Sequence, residues 1–119
     1  MIDNKEYHYL YDLIYYNKIK YENLAKYGIQ FFIDNKEYHL LCDLIADDKI
    51  KDENQIKQSI QVLIDKEKYS KLYYLITEDK IKAENKIKEI IQILIDKKEY
   101  KYLWCLIKND KIKDENQVK

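Results

Sequence analysis

The stretch Ile33-Asp34-Asn35-Lys36-Glu37-Tyr38-His39-Leu40-Leu41-Cys42-Asp43-Leu44-Ile45 decides the fold. Tyr38, Leu41, Leu44 and Ile45 follow one another at steps of three, three and one, which places them on one face of a helix. The same face is written as Tyr7, Leu10, Leu13 and Ile14, as Tyr69, Leu72, Leu75 and Ile76, and as Tyr100, Leu103, Leu106 and Ile107. Downstream, Ile56, Ile60, Leu63 and Ile64 step by four, three and one, and predict a second amphipathic helix. Between the two runs Asp47-Asp48-Lys49-Ile50-Lys51-Asp52, a polar turn with one inward anchor at Ile50, matched by Ile19, Ile81 and Ile112.

Rotation at about 100° per residue separates the two kinds of joint. From Ile64 to Tyr69 the apolar stripe jumps by about 140°, so one straight helix cannot bury both. From Ile45 to Ile56 the net rotation is only about 20°, so phase alone does not force a break there. Charge does. A continuous helix would carry Lys49 and Asp52 on its buried stripe, and unpaired buried charge is costly. An aspartate stands before each first helix. Asp34 with Glu37, Asp3 with Glu6 and Asp96 with Glu99 have capping-box spacing, and Lys68 breaks the pattern in the third case. Asp52 and Asn54 are both suitable caps for the second helix.

The unit opens at Ile2-Asp3, Ile33-Asp34, Ile64-Asp65 and Ile95-Asp96, a period of 31 residues. The units are 2–32, 33–63, 64–94 and an incomplete 95–119, read together as a single repeat domain over 1–119. Such a period predicts an all-α array of helix–turn–helix units in which each hairpin buries its apolar face against its neighbours. The competing architecture is an up-and-down bundle of four long helices. The pattern resembles the α-solenoid class of HEAT, armadillo and tetratricopeptide repeats at the level of architecture. The Trp and Pro places of the tetratricopeptide pattern and the Thr-Pro-Leu-His turn of ankyrin repeats are absent.

Composition narrows the alternatives. One Gly and no Pro exclude a turn-rich all-β protein or a flexible linker. Lys and Arg total 22, as do Asp and Glu, so no net charge draws the chain toward nucleic acid or anionic lipid. No apolar run reaches the length of a membrane span. The first residues lack the apolar core of a secretory signal. Cys42 and Cys105 lie two units apart, about 20 Å in a stack of helices, beyond the reach of a disulfide. They fit a reducing, intracellular and most simply cytoplasmic setting.

Candidate chemistry is sparse. His8 with Asp12 and His39 with Asp43 have i,i+4 spacing, but Ser70 and Lys101 replace the histidines in the later units. No unit gathers a nucleophile, a base and an orienting group, and no Gly-rich phosphate loop exists. The expectation is therefore a non-enzyme without metal or cofactor. Lys18 and Lys20, Lys49 and Lys51, Lys80 and Lys82, and Lys111 and Lys113 would align as a ridge able to follow a phosphate backbone, although acids flank it. Asn23, Asn54, Asn85 and Asn116 could grip an extended peptide, but helix capping explains them more simply.

Variation between units points elsewhere. The places that change most on the first helix carry Tyr9, Tyr11, Tyr73, Tyr74, Tyr102 and Trp104, and exposed Tyr and Trp are typical contact anchors. The expected role is a protein- or peptide-binding repeat scaffold. The first unit is rich in aromatics rather than polar, and the last stops early. That suggests a longer array, head-to-tail self-association, or aromatics that simply fill the first core layer.

Overall fold

The computed structural model describes residues 4–16 and 22–108. Its seven helices are α1 (Asn4–Tyr15), α2 (Glu22–Asp34), α3 (Tyr38–Ala46), α4 (Glu53–Asp65), α5 (Tyr69–Thr77), α6 (Glu84–Asp96) and α7 (Tyr100–Lys108), with no strand among the described residues. The protein is all-α. The polar run breaks the chain as the charge argument requires: α3 ends at Ala46 and α4 begins at Glu53, so the four-long-helix bundle does not form. Ile50 and Ile81 are buried in these turns; Ile19 and Ile112 lie outside the described residues.

The chain forms two compact units, residues 1–62 and 63–119, divided within the last turn of α4. In the first, α2 packs on α1 and on α3. Phe32 is fully buried, and the Tyr7 ring stands 5.6 Å from Phe31 and 6.2 Å from Phe32. Gly28 lets α1 approach α2 closely, since a Cβ there would lie 2.9 Å from Ile14 Cδ1. In the second unit, α5, α6 and α7 each pack on the other two, around Leu72, Leu75, Ile90, Leu94 and Leu106.

The joints depart from the capping-box expectation. Asp34 and Asp96 do not cap the helices that follow them. They are the last residues of α2 and α6. Glu37 occupies the N-cap of α3 with no side-chain bond to the helix. Main-chain atoms make the corner instead. Lys36 is left-handed at φ 56°, its N–H donates to Ile33 O at 3.0 Å, and the Glu37 N–H donates to Phe32 O at 2.9 Å. This is the Schellman motif that usually employs glycine. It recurs around Asp48, Glu67, Asp79 and Lys98, all with φ near 58°. Asp3, the remaining capping candidate, lies outside the described residues.

At the second helix the choice between caps is resolved. The Gln55 N–H donates to Asp52 Oδ1 at 3.0 Å, while Asn54 lies exposed in the first turn. Ala83 holds the place of Asp52 before α6 and supplies no side-chain bond.

The first-helix stripe is not uniformly buried. Leu44, Leu75 and Leu106 are fully enclosed, yet the equivalent Leu13 is 45% exposed. Tyr100 and Ile107 are also open on α7, although they belong to the same stripe. Identity at a repeated place does not set burial; the neighbouring helix does.

Candidate functional site

The sequence-predicted aromatics fall in both compact units, Tyr9 and Tyr11 in the first and Tyr73, Tyr74, Tyr102 and Trp104 in the second. On α1, Tyr11 and Tyr15 stack with ring centroids 5.6 Å apart, and Lys49 Nζ stands 5.0 Å from the centre of the Tyr15 ring. Burial, followed by the nearby Asp43 carboxylate, pushes the Tyr11 phenol up to about 12. The Tyr15 phenol is also raised, first because it donates a hydrogen bond to the Asp47 carboxylate. Both tyrosines thus remain protonated donors well beyond neutral pH and serve as packing groups with a polar tip. Tyr9, two residues before Tyr11 and so not on its face of the helix, is 57% exposed.

In the second unit, Tyr73 on α5 and Tyr102 on α7 meet with centroids 5.6 Å apart and planes inclined by 39°. Both are half-buried. Lys101 Nζ lies 5.1 Å from the Tyr102 ring centre. Tyr74 and Trp104 face outward, and Trp104 is 61% exposed with Lys108 Nζ 5.0 Å from its ring centre. Of the six sequence-predicted contact residues, Tyr9, Tyr74 and Trp104 are open, whereas Tyr11, Tyr73 and Tyr102 are partly committed to neighbouring helices.

The first unit also holds a chain of amides between second helices. Gln55 is buried and its Nε2 donates to Lys26 O at 2.8 Å; Gln30 Nε2 donates to Gln58 Oε1 at 3.1 Å. Ser59, fully buried, satisfies itself on Gln55 O at 2.7 Å. Leu24 and Tyr27 stand exposed at the places that Gln55 and Gln58 hold one repeat later. The repeat alignment contains the signal for these two residues: apolar side chains replace amides at a place used for packing between consecutive repeats.

The other sequence-predicted groups form no reactive constellation. His8 and His39 are exposed on separate helices. Among the described residues no group of three or more His, Cys, Asp or Glu is placed to hold a metal ion. Cys42 is buried and Cys105 partly so, both as free thiols. The lysine ridge is partly absorbed by its own turns, since Lys49 covers Tyr15 and Lys51 Nζ donates to Asp48 O at 2.7 Å. Lys18, Lys20, Lys111 and Lys113 lie outside the described residues. Asn23, Asn54 and Asn85 are exposed near the starts of α2, α4 and α6, and Asn116 lies outside the described residues. No described helix is long and apolar enough to cross a membrane.

Comparison with protein-family models, curated proteins and solved structures found no match.

Proposed function

We propose that this chain is a non-enzymatic interaction module, a helical-repeat scaffold that engages a protein partner through aromatic side chains on its first helices. The observation that carries this reading is the exposure of Tyr9, Tyr74 and Trp104 on helices that also bury Ile14, Leu75 and Leu106. A rigid aromatic offers large contact area with little side-chain entropy to lose. The lysines at the turns favour nucleic acid less, because Lys49 and Lys51 are already engaged locally.

The test is capture by the immobilised full chain, with Tyr74→Ala and Trp104→Ala as matched controls. Both residues are exposed, so their removal leaves the core intact. The reading expects a captured protein that is reduced at least tenfold by one of the two substitutions. Capture unchanged by both would overturn it. Salt-sensitive binding to generic RNA that persists in both variants would instead support the lysine ridge.

A further inference from the structure

Counting each repeat from its opening isoleucine, Tyr73 holds the tenth place of its repeat and Tyr102 the eighth place of the next. Their contact therefore shows how consecutive first helices meet inside the second unit. The first unit shows the corresponding relation between second helices. Gln55, at the twenty-third place, donates to the main chain at Lys26 in the preceding repeat. The eighth and twenty-third places thus look back to the previous repeat, and the tenth looks forward.

Three of the open apolar side chains hold these same places. Tyr9 is an eighth place and Leu24 a twenty-third, and both are exposed. Trp104 is a tenth place and is exposed on α7. Trp104 and Tyr9 therefore stand in the relation of Tyr73 and Tyr102, but on surfaces that nothing covers among the described residues. A polar surface would be expected if these places met only water, as in the capping repeats of solenoids. Leucine, tyrosine and tryptophan occupy them instead.

We infer that the partner is a second copy of this chain: α7 of one molecule docks on α1 of the next, with Trp104 against Tyr9. The inference rests on the interaction reading above and assigns its partner. The docked pair repeats a junction the chain already builds between α5 and α7. The contact is heterologous, because the two molecules contribute different surfaces, so a pair joined once still carries one surface of either kind and takes up further copies, as a closed ring or an open filament. A contact anchored by so few side chains is weak and is driven by concentration. Its apolar character makes it persist in high salt, which weakens exposed ion pairs.

Sedimentation of the full chain over a wide concentration series tests it. The weight-average mass is expected to climb from 14.7 kDa past twice that value without a plateau at the dimer. Trp104→Asp and Tyr9→Asp should each remain monomeric, with helical circular dichroism unchanged because both residues are exposed. An equimolar mixture of the two variants should stop at a one-to-one dimer, since each supplies the surface the other lacks. A wild-type chain that stays monomeric overturns the inference, as does association that survives Trp104→Asp. If the wild type stays monomeric while capture of another protein remains sensitive to Trp104→Ala, the interaction reading stands and only the assigned partner is wrong.

Discussion

Lys26 Nζ lies 3.0 Å from Asp52 Oδ2, while Oδ1 of the same carboxylate accepts the Gln55 N–H. One aspartate thus caps α4 and ties it to α2 of the preceding repeat. Lys26 first, and then the Gln55 N–H, hold the Asp52 carboxyl below its ordinary value.

The sign of the acid dependence follows from this depression. The unfolded chain binds the Asp52 proton more readily, so stability from this group is complete above the unfolded value of about 3.9 and is lost as pH falls through the lower folded value. Thermal melts should show a lower Tm for Asp52→Ala at neutral pH. Lys26→Met should keep the cap and flatten the acid limb of Tm against pH. The converse change, Ala83→Asp, supplies the missing cap before α6 and should stabilise by about 1 kcal/mol. An unchanged Tm in Asp52→Ala would remove the cap from this account.

Five non-glycine residues sit in the left-handed region at helix ends. Glycine relieves the Cβ crowding of that conformation but costs more entropy on folding. With helix-end geometry already fixed by main-chain bonds, relief is the larger effect. Lys36→Gly and Asp48→Gly are each expected to raise stability by about 0.5–1 kcal/mol in urea titrations. A loss of stability in both would mean that these side chains contribute contacts outweighing their strain.

Leu75 and Leu13 occupy the same place in different repeats but differ in burial, at 0% and 45% exposure. Leu75→Ala should cost about 2–5 kcal/mol through lost burial and the cavity left behind. Leu13→Ala should cost less than about 1 kcal/mol at concentrations where the chain is monomeric. Equal losses would show that Leu13 is enclosed in solution.

The contrast also marks what the sequence could show. The spacing of Tyr38, Leu41, Leu44 and Ile45 disclosed the helices, and the burial cost of Lys49 and Asp52 disclosed the break between α3 and α4. Ile50 and Ile81 were legible as anchors because each stands alone in a polar run. The ends of α2 and α6 were not. An aspartate near a helix boundary suits either end in sequence, and corners turned at Lys36 and Lys98 lack the glycine that would mark them. Burial of Leu13 could not be read from its repeat equivalents, because enclosure is conferred by a neighbour. Tyr9, Tyr74 and Trp104 were visible as variable aromatics, but their separation from the half-buried Tyr11, Tyr73 and Tyr102 required the packing of adjacent helices.

The corners after α2, α3, α4, α5 and α6 are fastened by N–H and C=O groups that every residue but proline can supply. The fastening itself therefore sets no side-chain requirement at Lys36, Asp48, Glu67, Asp79 and Lys98, whereas gaining or losing one residue would unhook it. Point substitutions can remodel the outer chemistry of these bends generation by generation while their length stays frozen.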